Sequence, residues 1–270
     1  MGHRCQPCHA VFVSILLILS VTGCAHAPAL QLPSMQLTDP AFFPTLEAYT
    51  QAPIVGGNRV DILVNGDQIF PAIVAAIRSA RTTINYAQFA YLDGPVSDQV
   101  TEALSERCRA GVEVNLLVDG VGSFNMPTDH RDRLAHAGCH LAIFRPLTPV
   151  TLERANNRLH RRILVVDGRV GFAGGAGLGR AWMGDGRSAN HWRDTDARIE
   201  GPAVAYLQGA FVDSWLKATG IVLAGEAFFP RLDPVGSVAT QVVGAHPRRG
   251  ATASTRCSCW PSPPRATPSI

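Results

Sequence analysis

The fold is decided by the stretch LHRRILVVDGRVGFAGG, residues 159–175. Its apolar run from Ile163 to Val166 is short and rich in branched aliphatic side chains, which is typical of a buried strand. The run ends at Asp-Gly, residues 167–168, the strongest short-range signal for a two-residue hairpin turn. Residues 169–173 are then predicted to form the return strand, closed by a glycine pair that lets the backbone turn sharply.

Two side chains at the entrance of this hairpin point to phosphate chemistry. Because side chains alternate along a strand, His160 and Arg162 are expected on the same side, with their backbones roughly 6–7 Å apart. An imidazole beside a permanent cation suits the binding of, or attack on, a phosphate group. Asp167 lies farther along the strand, roughly 16 Å beyond Arg162, and the spacing therefore assigns it to structure rather than to phosphate contact.

These residues resemble the signature of the phospholipase D superfamily, His-x-Lys-x4-Asp followed after six residues by Gly-(Ser/Gly)-x-Asn. Further sequence segments resemble its bacterial cardiolipin synthase-like branch: GVEVNLLVDG at 111–120, NNR at 156–158 and WRDTDARIEGP at 192–202. The resemblance runs from about residue 58 to residue 249. Arg162 stands where the family has lysine, and Gly177 stands where it has asparagine. The chain holds one motif, whereas active members bring two together.

The resemblance implies covalent catalysis that needs neither a metal nor a cofactor. In the family, one motif histidine attacks phosphorus to form a phospho-histidine, and the histidine of the other motif protonates the leaving alcohol. His160 is thus the expected nucleophile or acid/base, and Arg162 is expected to hold the phosphate oxygens. Asp167 completes the family's catalytic motif in a structural role. Gly174 and Gly175 are expected to leave room for the phosphate and to offer it backbone donors.

Helices and strands alternate through the predicted folded body, residues 58–250. The periodicity predicts strands at residues 59–64, 82–91, 112–118 and 141–144, and helices at 69–80, 96–110, 129–137 and 203–217. Such alternation predicts one α/β domain with a mixed, mainly parallel sheet flanked by helices, and the resemblance implies a phospholipase D-like half-domain. Asp119, at the end of a predicted strand, is interpreted as a turn residue. Trp192, Arg193 and Asp194 are interpreted as a structural block of the family.

The N-terminus predicts a bacterial lipoprotein signal, residues 1–23. An apolar run from Ala10 to Val21 is short for a membrane span, and VTGC at 21–24 resembles a lipobox. Cys24 is the expected lipidation site, which would anchor the protein in the cell envelope, facing the periplasm or the exterior. A plain signal peptide and an uncleaved anchor are the alternatives. The proline-containing residues 24–57 predict a tether.

Composition narrows the class of partner only slightly. The 270-residue chain has a formal net charge of +3 and no basic stripe with interleaved aromatics, which disfavours nucleic acid as a partner. Its seven cysteines form no convincing disulfide framework, and only Cys108 and Cys139 fall in the predicted folded body. Residues 251–270 lack the large aliphatic side chains of a core and predict a disordered or out-of-frame tail.

Three functions are compatible with these observations. The first is a phosphatidyltransferase or phospholipase acting on phosphatidylglycerol-like lipids at a membrane. The second is a nuclease-type phosphodiesterase, because single-motif relatives of the superfamily dimerise into nucleases. The third is an inactive, truncated remnant. If the protein is active, a two-fold homodimer must supply the second histidine.

Overall fold

The computed structural model describes residues 34–146 and 158–244. In chain order its strands are β1 (Ile54–Val64), β2 (Thr83–Gln88), β3 (Glu113–Asp119), β4 (His140–Phe144), β5 (Ile163–Val166), β6 (Val170–Ala173), β7 (Thr195–Glu200) and β8 (Val238–Gln241). Its helices are α1 (Phe42–Thr50), α2 (Asn65–Ser79), α3 (Pro95–Arg109), α4 (Thr128–His136) and α5 (Val204–Thr219). A short 3₁₀ turn spans Arg180–Trp182.

All of these strands belong to one mixed sheet, in the order β4-β3-β2-β5-β6-β7-β1-β8. The α/β class is confirmed, but the prediction of a mainly parallel sheet was wrong. Among the strands of the described sheet, parallel pairing is confined to β2, β3 and β4, which are linked by helices. Every other neighbouring pair in the described sheet is antiparallel. The β5–β6 hairpin accounts for one of these antiparallel pairs, because a tight turn can join only antiparallel strands, and the other four join strands that are not consecutive through a tight turn.

The β5–β6 hairpin forms where the sequence predicts it. Asp167 and Gly168 both have positive φ, 52° and 62°, as a primed hairpin turn requires, and the Arg169 N–H donates to the Val166 carbonyl at 2.9 Å. Because Val166 pairs with Val170, the loop is one residue longer than predicted. The return strand accordingly begins at Val170 rather than at Arg169.

Helices cover both faces of the sheet. Helices α2, α3 and α4 pack on one face around fully buried side chains such as Ile77, Leu104 and Leu116. Helix α5 covers the opposite face, where it buries Phe211 and Trp215. Burial of apolar side chains on both faces stabilises the strands that carry the site, since each buried large aliphatic or aromatic contributes roughly 1.5–3 kcal/mol.

Two features depart from the sequence-based expectations. Helix α1 and the first residues of β1 lie within residues 24–57, which were predicted to be a tether, so the ordered fold begins earlier than residue 58. Cys108, in the last turn of α3, forms a disulfide with Cys139, just before β4, although the cysteine pattern did not predict a disulfide framework. The predicted signal peptide, Cys24 and the predicted tail at 251–270 lie outside the described residues.

Candidate functional site

The hairpin entrance lies beside the carboxyl end of the parallel strands. Ile163 of β5 pairs with Ala87 of β2, so the residues that precede β5 lie next to Phe89, which follows β2. The His160 ring centroid lies 5.0 Å from that of Phe89, and the Arg162 guanidinium carbon lies 5.5 Å from the same centroid. The two motif side chains thus border one aromatic ring. His160 is exposed, whereas Arg162 is half-buried.

The surroundings of His160 favour its neutral form. Partial burial is the largest influence lowering the pKa of His160, the positive charge of Arg162 lowers it further, and Asp119 opposes both. A neutral imidazole has a free ring nitrogen that can attack an electrophile, so the group is in the nucleophilic form at neutral pH. Within the described residues, the His160 ring has no hydrogen-bond partner.

Arg162 lies beside Phe89 and within electrostatic range of two carboxylates. Burial lowers the pKa of Arg162, while the negative charges of Asp194 and Asp196 raise it. Arginine nonetheless stays protonated at physiological pH. Its buried Nε has no hydrogen-bond partner among the described residues. A cation with unused donors at the rim of the fold is suited to binding phosphate oxygens.

The position of the Asp196 side chain explains why two glycines follow β6. Its Oδ1 accepts the N–H groups of Gly175 at 3.1 Å and Ala176 at 3.3 Å. A Cβ on Gly174 would overlap Asp196, and one on Gly175 would overlap Asp194. The pair therefore makes room for two carboxylates, and the Gly175 donor expected to face a phosphate is already engaged. Burial raises the pKa of Asp196 to about 6, with Asp194 also raising it.

Asp167 lies at the other end of β5 and is not brought to the site. Its carboxylate accepts the backbone N–H groups of Arg81, Thr82 and Thr83, at 3.0, 2.8 and 2.9 Å. The Thr82 hydroxyl adds a fourth donor at 2.8 Å. Burial raises the pKa of Asp167, but these donors outweigh it and leave the pKa below its ordinary value. The structure thus gives Asp167 the structural role that its spacing predicts, by fixing the start of β2 rather than its own turn.

Asp119 has more partners than a turn residue needs. Its Oδ1 accepts the N–H groups of Val121 and Gly122 at 2.8 and 3.0 Å, as expected for a turn. Its carboxylate also binds the Arg158 Nε at 3.0 Å and the Leu159 N–H at 2.8 Å. Asp119 is completely buried, and it ties the end of β3 to the two residues before His160.

Gly177 and the block at residues 192–194 complete the rim. A Cβ on Gly177 would lie 2.9 Å from the Trp182 ring. The Trp182 ring therefore occupies space that the side chain of the family's asparagine would need. Trp192 is exposed and meets Trp182 edge-on, with centroids 4.6 Å apart. Arg193 lines an open cavity of about 600 Å³ between α2 and the 184–193 loop. Of the predicted structural block, Asp194 reaches the site.

Sequence reasoning missed the roles of Phe89, Asp196 and Arg158. Phe89 could have been found, because an aromatic residue directly follows the buried strand β2. The role of Asp196 depends on the pairing of β7 with β6, which no local pattern indicates. Among the described residues, no cluster of three or more His, Cys, Asp or Glu side chains could hold a metal ion.

The fold and the site define an α/β protein that presents a histidine and an arginine side by side, against one aromatic ring at the edge of its sheet. Residues 73–211 match the family described as "Cardiolipin synthase, PLD-like domain", and the chain belongs to that family. It is 35% identical over 212 residues to cardiolipin synthase A of Pseudomonas aeruginosa, covering 78% of this chain and 42% of the relative. It is 33% identical over 175 residues to cardiolipin synthase 1 of Bacillus cereus, covering 64% and 34%.

The chain therefore spans about two fifths or less of the length of these curated relatives. Solved structures with similar folds include Nuc from Salmonella typhimurium, a phospholipase D family member, with a TM-score of 0.46 and 16% identity, covering 60% of this chain and 96% of Nuc. Phosphatidylserine synthase from Haemophilus influenzae has a TM-score of 0.44 and 12% identity, covering 62% and 40%.

Proposed function

We propose that this chain carries one half of a phospholipid phosphodiester-transfer site, with His160 as the reacting group and Arg162 as the phosphate-binding cation. The observation that carries the proposal is the placement of an exposed imidazole beside a half-buried arginine, both against Phe89. The lowered pKa of His160 favours its unprotonated form. Covalent catalysis needs a nucleophile that is unprotonated at working pH and a fixed positive charge where the phosphate oxygens bind. This pair supplies both.

In the proposed reaction, a ring nitrogen of His160 attacks phosphorus while the bond from phosphorus to the leaving alcohol oxygen breaks. That oxygen takes a proton from a second histidine, and the phosphoryl group remains on His160. An acceptor alcohol or water, deprotonated by the second histidine, then attacks phosphorus and releases His160. Arg162 stabilises the negative charge on the phosphate oxygens through both steps.

The second histidine must come from another motif. Within the proposal, a second copy of the chain supplies it across a two-fold axis, so that two half-sites face each other. A monomer would then bind a phosphate group without turning it over. Membership of the cardiolipin synthase family supports a phosphatidylglycerol-like substrate, because the relatives named above are cardiolipin synthases.

We further propose that the chain works on the outer side of the membrane, anchored through lipidated Cys24. The Cys108–Cys139 disulfide supports this location, since disulfides persist in oxidising compartments and are rare in the cytosol. In residues 34–146 and 158–244, no helix has the length and apolarity needed to cross a bilayer. Labelling of the expressed chain with a fatty-acid analogue, compared with Cys24→Ser, tests the anchor.

The function is tested by incubating the full chain with phosphatidylglycerol vesicles and, separately, with single-stranded DNA. Lipid turnover that falls by on the order of 10³-fold or more in His160→Ala supports the proposal. The matched control is His136→Ala, which removes an exposed histidine at the end of α4 and should leave turnover unchanged. Cleavage of DNA alone would make the protein a nuclease. Lipid turnover no higher than that of His160→Ala would refute the proposed activity.

A further inference from the structure

His160 is placed by its backbone rather than by its own side chain. Its ring contacts Phe89 and has no hydrogen bond in the described parts of the chain. The residues that precede and follow it in the sequence are instead held by hydrogen bonds. Arg161 binds α5 through the Ala210 carbonyl at 2.7 Å and Asp213 at 3.0 Å. Arg158, on the other side, is fastened to the sheet.

The hydrogen bonds of Arg158 are more deeply buried than those of Arg161. The Arg158 Nε donates to the Asp119 carboxylate, and its Nη2 donates to the carbonyls of Phe144 and Arg145 at 3.0 and 2.6 Å. Asp119 also accepts the Leu159 N–H. One carboxylate at the end of β3 therefore fixes two consecutive residues, and it does so immediately before His160.

We propose that Asp119 is a positioning residue for His160, which it holds against Phe89 by clamping Arg158 and the Leu159 backbone. The proposal depends on the proposed function only in treating His160 as the reactive group. An ordinary turn residue would need only the two bonds to Val121 and Gly122. The additional bonds to the His160 side of the chain have no use in that turn.

The same carboxylate sets part of the electrostatic environment of His160. Asp119 raises the pKa of His160 against the lowering by burial and by Arg162. The negative charges of Asp194 and Asp196 act on Arg162, while Arg161 forms an ion pair with Asp213 on α5. Loss of the Asp119 charge should therefore lower the pKa of His160 further, whereas a displacement of the ring from Phe89 would be seen separately in its ring-current shift.

The proposal is tested with the full chain carrying ¹³C-labelled histidine, whose His160 resonance is assigned by its loss in His160→Ala. In Asp119→Asn the carboxylate charge is gone, and the amide presents a donor toward the Arg158 Nε or the Leu159 N–H. The expected results are a His160 titration midpoint at lower pH and loss of the ring-current shift from Phe89. A rate constant kcat that falls on the order of tenfold or more should accompany them.

Asp213→Asn is the matched control, because it removes a carboxylate that pairs with an arginine next to His160. Arg161 keeps its bonds to Ala210 and to the Ser214 hydroxyl, so the titration and the ring-current shift should stay at their wild-type values. If Asp119→Asn folds and leaves the ring-current shift unchanged, the proposal is overturned, even where the titration midpoint moves.

Arg158→Lys covers the case in which Asp119→Asn does not fold. Lysine keeps the positive charge and leaves Asp119 in place, but it cannot reach the carboxylate and both carbonyls together. The ring-current shift should be lost while the midpoint is not lowered, and an unchanged shift overturns the proposal. Because both readouts are spectroscopic, an inactive wild-type protein would refute the proposed function without deciding this inference.

Discussion

Burial lowers the pKa of His160 most, and the positive charge of Arg162 lowers it further. Because the pKa of His160 is lowered, its imidazole becomes neutral at a lower pH than free histidine, whose pKa is about 6.5. A nucleophile must be unprotonated, so the acidic limb of kcat/KM should lie below that value. Arg162→Gln removes one lowering influence and should move the titration of His160 to higher pH.

The measurement for Arg162→Gln is the NMR titration of His160, which does not depend on residual activity. Arg161→Gln is the control, since its guanidinium binds α5 and does not act on the pKa of His160. The interpretation fails if Arg162→Gln leaves the midpoint in place, or if Arg161→Gln moves it equally.

Asp167 should matter for stability rather than for chemistry. Asp167→Ala removes the acceptor of three backbone N–H groups and one hydroxyl, which should lower the free energy of unfolding by about 2 kcal/mol. The exposed Asp233 provides the control, since Asp233→Ala should change stability by less than about 0.5 kcal/mol. Urea unfolding measures both.

The pH dependence of this contribution has a definite sign. The pKa of Asp167 is lower in the folded state, so its stabilisation is present above the unfolded pKa and is lost as the pH falls through the folded pKa. The stability difference between wild type and Asp167→Ala should therefore shrink in acid. A difference that grows in acid would contradict the assignment.

Among the elements, the β5–β6 hairpin depends on a glycine at its tip. Gly168 has φ +62°, and a Cβ there would lie 2.6 Å from the Phe228 carbonyl oxygen. Gly168→Ala should therefore destabilise the fold by about 1–3 kcal/mol. Gly209, in α5, has open space around its missing Cβ, so Gly209→Ala should stabilise the fold by up to about 1 kcal/mol. Opposite shifts in the thermal midpoint confirm the pair, and equal shifts contradict it.

The elements that the sequence predicted are those whose signals are local. The hairpin has an Asp-Gly turn, and the segment from β2 to β4 has clear periodicity bounded by glycines. Helix α1 was missed because its nine residues include Pro44 and lie among other prolines. The antiparallel half of the sheet was missed because the pairing of β1 with β7 joins residues more than 130 positions apart.

The contacts within the candidate site could likewise be predicted only where they are local in sequence. The adjacency of His160 and Arg162 follows from two-residue spacing along one strand, which the sequence displays directly. Phe89, Asp119 and Asp196 come from three other parts of the chain. Their contacts with the motif depend on strand order and on buried hydrogen bonds, which no short pattern encodes.

For the whole molecule, the Cys108–Cys139 disulfide should contribute substantially to stability. It closes a loop with a sequence separation of 31, for which the chain-entropy treatment gives about 3–4 kcal/mol. Reductant should lower the melting temperature of the wild type to that of Cys108→Ala/Cys139→Ala, which should itself be insensitive to reductant. A wild-type protein that melts at the same temperature in both conditions would show that the bond does not stabilise the fold.

The proposed pairing of two half-sites predicts that an inactive variant lowers the activity of the wild-type protein by forming mixed dimers with it. If each turnover needs one His160 from each of two copies, a freely exchanging mixture with equal His160→Ala should retain about half the activity expected from the wild-type protein added, because only pairs of wild-type copies work. Excess His160→Ala should suppress activity further, whereas excess His136→Ala should not. Activity that simply follows the amount of wild-type protein would mean that a single copy completes the reaction, and the two-fold arrangement would be wrong.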